Sequence, residues 1–208
     1  MSAVLRGVLF DMDGVLLKSE EAWEHVVAAA GEQFRGRPVT REEFQPTFGR
    51  GTEADVRVFG LRCTPAELNR FYIEHFPRYA RHVWVNPEAR GLLETLGARG
   101  LKRAVVTNTV SPLATTLLEA AHLADCFESV ACADLVAHSK PAPDLVLYAL
   151  EKLGVSAGEA LMVGDSRYDK GAAGAAGVRF VGLGLDGDAR IEQLSELLAH
   201  LTAPAGAC

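Results

Sequence analysis

The sequence predicts an α/β protein: a parallel sheet covered by helices on both faces and interrupted once by an all-helical insert. Three observations carry this. From about residue 86 onward, short apolar runs alternate with helical patterns, as in strand–helix–strand units. The segment 17–84 offers several helix starts and no run of strand character. Four strand ends carry or precede polar, mostly acidic residues, and open parallel sheets gather their chemistry at those ends.

The elements follow in order. Residues 4–10 form an apolar run ending in acids and read as a buried strand. Ser19 can cap a helix to about Gln33, with Trp23, Val26, Val27 and Ala30 on one face. Thr40 with Glu43 has the capping-box pattern, Thr52 can start a third helix, and Thr64-Pro65-Ala66-Glu67 opens a fourth that runs to about Arg81. Asn86-Pro87 opens a helix that stops between Gly97 and Gly100, and residues 101–107 form a strand. Ser111-Pro112 starts another helix, residues 129–132 a short strand, and Pro143-Asp144 a helix to Leu153. Residues 160–163 are a strand, 169–176 a helix, 178–181 a strand and 191–201 the last helix. The small-residue run 171–177 lies between two strands and reads as close packing, not as a linker.

Bulk properties exclude some functions. With 208 residues, 49% of them apolar, the chain can bury a core as one large domain or a domain with an insert. Its net charge of −6 comes from mixed charges with no basic stripe, which argues against a nucleic-acid surface. Cys63, Cys126, Cys132 and Cys208 fit neither a zinc site nor a redox pair and read as reduced thiols. Asp11 and Asp13 interrupt the first apolar run, so it is no signal peptide, and no stretch approaches a membrane span; a cytoplasmic protein is expected. The tail 202–208 reads as frayed, and the six histidines as structural or surface residues.

The strand ends hold Asp11-Met12-Asp13-Gly14, Thr107-Asn108, His138-Ser139-Lys140-Pro141 and Gly164-Asp165-Ser166 followed by Asp169. Several carboxylates close together cannot all stay ionised without a cation. A hard divalent ion such as Mg²⁺ suits oxygen ligands and accepts a phosphate beside one or two carboxylates. A carboxylate is a competent nucleophile toward an activated electrophile such as a phosphoryl group. No Cys or His stands at a strand end with a partner at a useful spacing.

In order and spacing, these four motifs resemble those of the haloacid dehalogenase-like hydrolase superfamily, in its phosphoglycolate phosphatase and beta-phosphoglucomutase-like branch. The resemblance implies a doubly wound, Rossmann-like core of residues 1–16 and 85–208 with a helical cap over 17–84. It also implies an Mg²⁺-dependent hydrolase of a small phosphorylated metabolite, a monomer or weak dimer without nucleic-acid or membrane partners. By the same resemblance Asp11 is the nucleophile that becomes an aspartyl-phosphate, and Asp13 is the acid and then the base. Thr107, the Asn108 backbone and Lys140 hold the phosphoryl group, with Lys140 also neutralising Asp11. Asp11, the Asp13 carbonyl and Asp165 ligate the metal, with Asp169 as ligand or supporting acceptor.

Asp13 separates the chain from the dehalogenases, which lack the second Asp, and Lys18 is the only lysine of the insert, unlike the cap lysine of phosphonoacetaldehyde hydrolases. Mutases of this branch commonly show an acidic residue where Lys18 stands and a His where Trp23 stands. A phosphatase is therefore expected first, a sugar-phosphate mutase second, and a non-catalytic binding protein on the same fold third. Trp23, Phe48, Arg50, Arg57 and Tyr72 are the candidate cap contacts to substrate.

Overall fold

Strand β1 (Gly7–Phe10) is fully buried, as a central strand of a parallel sheet must be. It is the middle of the fold in a computed structural model that describes residues 4–201. The expectations for the tail 202–208 and for Cys208 lie outside the described residues. After β1 the chain crosses into helices through β2 (Leu17–Lys18) and returns through β3 (Trp84–Val85). These pair antiparallel, Leu17 with Val85 and Lys18 with Trp84, so the segment expected to be free of strands is bounded by a short ribbon. Two residues per strand are too few to leave a period in the sequence.

Between the crossings lie α1 (Glu20–Arg35), α2 (Arg41–Phe44), α3 (Thr52–Val58) and α4 (Pro65–His75). Capping boxes close the starts of α2 and α4 through Thr40–Glu43 and Thr64–Glu67. The fourth helix stops short of Arg81: from Phe76 to His82 the turns are 3₁₀. Pro77 explains this, since it lacks the N–H for the helical ladder and its ring crowds the carbonyl four residues back. His82 pairs with Glu21 at 2.6 Å and His25 stacks on Tyr79, which gives these histidines structural partners.

The return leads into α5 (Ala89–Ala98), β4 (Lys102–Thr107), α6 (Ser111–Ala120), β5 (Ser129–Cys132), α7 (Asp144–Leu153), β6 (Ala160–Gly164), α8 (Arg167–Ala175), β7 (Arg179–Leu183) and β8 (Ala189–Ile191). All pairings in this sheet are parallel, in the order β5-β4-β1-β6-β7-β8. The chain thus builds outward on one side of β1 and then on the other, so a crevice opens at β1 where the order reverses.

Alternation along the strands feeds two cores. Val8, Phe10, Val105, Leu161 and Val163 face α5, α6 and the helical residues of the insert. Leu9, Ala104, Val106 and Met162 face α7 and α8. Truncating a buried leucine such as Leu9 costs about 2–5 kcal/mol by transfer and cavity terms.

The C-terminal expectation needs correction. Residues 191–201 are not one helix: Ile191 ends edge strand β8, and Leu194–His200 makes 3₁₀ turns. Leu194 and Leu197 are buried three residues apart, the spacing of a 3₁₀ face, and Ser195 is fastened to Glu88 by two hydrogen bonds.

Candidate active site

The crevice at β1 brings the strand-end residues together. The Asp11 backbone N–H still bonds the Val163 carbonyl at 2.9 Å, so the sheet fixes this residue's direction. Its Oδ1 accepts from the Met12 N–H and from Lys140 Nζ, both at 2.7 Å, which leaves Oδ2 without a protein partner among the described residues. Asp13 lies beyond the strand, in a turn where Leu16 and Leu17 donate to the Met12 carbonyl. Gly14 makes the turn possible: its φ is +93°, and a Cβ there would lie 1.9 Å from Asp165 Oδ2.

Lys140 is the cationic centre. Nζ donates to Asp11, to Asp169 Oδ1 at 2.7 Å and to the Val106 carbonyl at 2.9 Å. Burial alone would lower its pKa, but the Asp11 and Asp169 carboxylates outweigh this and hold the ammonium above the ordinary lysine range. Both Asp169 oxygens are engaged, since Oδ2 accepts from the Ser166 N–H at 3.0 Å and its hydroxyl at 2.5 Å. That bond belongs to the capping box that starts α8, so the helix begins at Arg167 and not at Asp169. The close approach requires Gly164, where a Cβ would meet the Asp169 Cβ at 2.3 Å.

Asp13 is held by different groups. Its Oδ1 accepts from the Ser19 hydroxyl at 2.5 Å and the Trp23 indole N–H at 3.0 Å, and Oδ2 from Thr109 at 2.9 Å. Ser19 sits at the N-terminus of α1 but makes no capping bond, because Asp13 takes its hydroxyl. Neither Ser19 nor Thr109 was expected at the site. Ser19 is masked by looking like a cap, and Thr109 lies two residues past its strand; Trp23 reads from the sequence as a helix-face residue, a substrate contact and the position where mutases show a His, not as a donor to Asp13.

Thr107 and Asn108 end β4. Thr107 Oγ1 accepts from the Thr109 N–H at 3.0 Å. The Asn108 side chain is a clamp: Nδ2 donates to the carbonyls of Gly49 at 2.9 Å and Lys140 at 3.1 Å, while Oδ1 accepts from the Lys140 N–H. Of the expected cap contacts, Trp23, Phe48, Arg50 and Tyr72 line the cavity above Asp11, whereas Arg57 is exposed and does not.

The donor set fits a hard divalent cation. Asp11, Asp165 and Asp169 each offer an oxygen within 4.8 Å of the others. The Asp13 carboxylate is not in this group, so its expected metal role is left to its backbone carbonyl. Burial and then the charge of Asp169 push Asp11 well above the usual carboxylate range, and the same causes push Asp165 up to about 7. One ammonium among three carboxylates leaves a deficit of positive charge that a divalent ion with oxygen ligands supplies.

Known proteins resemble this chain in sequence and fold. Residues 8–183 fit the family profile of the haloacid dehalogenase-like hydrolases. The phosphoglycolate phosphatase of Rhodospirillum rubrum is 35% identical over 193 residues, spanning 85% of this chain and 78% of that one. CbbY from Rhodobacter sphaeroides, solved in complex with phosphate, superposes with a TM-score of 0.82 at 26% identity over 95% of this chain and 99% of that one. The beta-phosphoglucomutase of Clostridium difficile shares the fold alone, with a TM-score of 0.79 at 16% identity over 95% and 96% of the two chains. Profile, sequence relatives and the strand-end geometry agree that the chain belongs to the haloacid dehalogenase-like hydrolase family.

Proposed function

We propose that the chain is an Mg²⁺-dependent phosphatase that hydrolyses a small phosphate monoester through an aspartyl-phosphate on Asp11. The observation that carries the reading is the separate fastening of two carboxylates in one cavity. Asp11 is fixed by the sheet and Lys140, and Asp13 by Ser19, Trp23 and Thr109. A rigid position suits a nucleophile that must meet phosphorus in line. A carboxylate on a turn with a lone pair to spare suits proton transfer.

In this reading residues 17–84 work as a cap over a core of 1–16 and 85–208. Thr107, the Asn108 backbone and Lys140 hold the phosphoryl oxygens. An Asp11 oxygen bonds phosphorus as the ester P–O bond breaks, and Asp13 gives its proton to the departing alkoxide. Asp13 then takes a proton from the water that attacks phosphorus, which frees Asp11 and inorganic phosphate. Mg²⁺ held by Asp11, Asp165 and the Asp13 carbonyl supplies charge neutralisation for the incoming phosphate. Asp169 acts by aiming Lys140. The 35% identity to a phosphoglycolate phosphatase supports this chemistry, and the Trp23 indole, a donor only, favours hydrolysis over the mutase alternative.

The test is intact-mass analysis after rapid quench with an aryl phosphate and Mg²⁺. An adduct of one phosphoryl group should map to Asp11, vanish in Asp11→Asn and require the metal. An adduct on another residue, or full turnover after exhaustive chelation, refutes the mechanism.

A further inference from the structure

The cavity above Asp11 has a second polar end that the proposed chemistry does not use. Helices α3 and α4 face each other across two rungs there. Thr52 Oγ1 donates to Asn69 Oδ1 at 2.6 Å, and one turn along, the Tyr72 hydroxyl donates to Asp55 Oδ2 at 3.0 Å. All four residues line the cavity, whose remaining cap wall is mostly apolar, with Trp23, Val27, Phe44 and Phe48. Asp55 Oδ1 and Asn69 Nδ2 have no side-chain hydrogen bond among the described residues, and no sealed side-chain polar atom is left unpaired. These two atoms are therefore open: an acceptor and a donor on one wall.

An ionisable group in such a wall is costly unless something uses it. Burial raises the Asp55 carboxyl to about 7, against the opposing hydrogen bond from Tyr72 and the charge of Arg50. A substrate hydroxyl is the ligand that matches both open atoms, because it donates to Asp55 and accepts from Asn69. A substrate carboxylate matches poorly. Of the two cations lining the cavity, Lys140 is held by Asp11 and Asp169, and Arg50 lies in the field of Asp55 with its Nε bonded to Tyr168 at 3.0 Å.

We propose that Asp55 reads the leaving group, and that the substrates are phosphate monoesters of hydroxyl-bearing alcohols, such as polyol or small sugar phosphates, in preference to those of hydroxy acids. This rests on the phosphomonoesterase reading above. The competing view is that Asp55 and Tyr72 only fasten α3 to α4; substitution would then lower stability and treat all substrates alike.

The experiment compares kcat/KM for three alkyl monoesters with Mg²⁺: glycerol 3-phosphate, propyl phosphate and 2-phosphoglycolate. In the wild type, glycerol 3-phosphate should exceed propyl phosphate by about tenfold or more, the value of one hydrogen bond to a charged group, and 2-phosphoglycolate should rank last. In Asp55→Ala the glycerol-to-propyl ratio should fall close to one. In Asp55→Asn, which removes the charge and keeps the shape, the glycolate-to-propyl ratio should rise about tenfold. Each ratio is internal to one protein, so loss of stability does not mimic the effect, and if a variant does not fold the wild-type ranking decides. A wild type that prefers 2-phosphoglycolate, or ratios that the variants leave unchanged, overturns the assignment of Asp55. If no monoester, aryl phosphate included, is hydrolysed, the phosphatase reading itself fails.

Discussion

At the scale of single residues, the site works by giving chemically identical groups different surroundings. Asp11, Asp13, Asp55, Asp165 and Asp169 differ in their surroundings: an ammonium, an indole and two hydroxyls, a phenol, the charge of a nearby carboxylate, a cap serine. Asp55 permits a clean measurement. Its carboxyl rises from an ordinary 3.8 to about 7 on folding, because burial disfavours the charge. Below about pH 4 both folded and unfolded chains hold the proton and nothing is lost. Between about pH 4 and 7 only the folded state holds it, so stability falls as pH rises; above 7 the deficit is constant. Asp55→Asn should therefore gain stability relative to the wild type across that window, by at most about 4 kcal/mol and less with Arg50 nearby. Melting curves of the two proteins from pH 4 to 8 check this, and a difference that does not grow with pH refutes it. The other buried acids are common to both proteins and cancel. The sequence shows Asp11, Asp13, Lys140, Asp165 and Asp169 because a strand end announces each. It hides Ser19, which looks like a helix cap, and Thr109 and Asp55, whose chemistry depends on a partner far along the chain or across two helices.

At the scale of elements, two capping boxes of the same chemistry serve different ends. Thr64 starts α4 on the surface, while Ser166 starts α8 and fastens the Asp169 oxygen opposite the one that holds Lys140. Removing either hydroxyl should cost about 1 kcal/mol, or roughly 2–4 °C in Tm. Only Ser166→Ala should also lower kcat several-fold, since Asp169 then loosens and Lys140 loses its aim. Steady-state kinetics of Ser166→Ala and Thr64→Ala, side by side with their melting curves, make the comparison. Equal kcat in the two variants would show that Asp169 needs no help from Ser166. The elements themselves were legible where local chemistry marks them: capping boxes, Pro at helix starts, and four-to-six-residue apolar runs in β4, β5 and β6. Strand β8 and the β2–β3 ribbon were not, since three or two residues on an edge carry no period and gain their order from a neighbour in the sheet.

At the scale of the whole molecule, the insert meets the core at points that enclose Asp11. Trp23 reaches Asp13, the Gly49 carbonyl accepts from Asn108, and Arg50 Nε donates to the Tyr168 hydroxyl at 3.0 Å. The cavity beneath them is lined by Asp11, Asp13 and the Asp55 wall, and in the proposed reading substrate enters when these contacts part. The crossings are slender, a two-residue ribbon steadied by the Asn86 amide on the Val15 carbonyl at 3.0 Å, and they suit a hinge. Exclusion of water by closure and access by opening cannot coexist in one rigid arrangement. Locking the closed form should therefore stop turnover even though every catalytic group is in place. Cysteines at Arg50 and Tyr168, joined by a cleavable bifunctional thiol reagent, provide the lock, and because Arg50 lines the cavity the linked protein is compared with its own unlinked form. The linked protein should lose nearly all multiple-turnover activity toward an aryl phosphate and recover it when the linker is cleaved. The wild type with its native cysteines, and each protein carrying only one of the two new ones, should be as active after the reagent as before it, which separates locking from labelling. Undiminished kcat in the linked protein would mean that substrate reaches Asp11 without the cap moving, and the insert would then be a fixed wall that selects by shape alone.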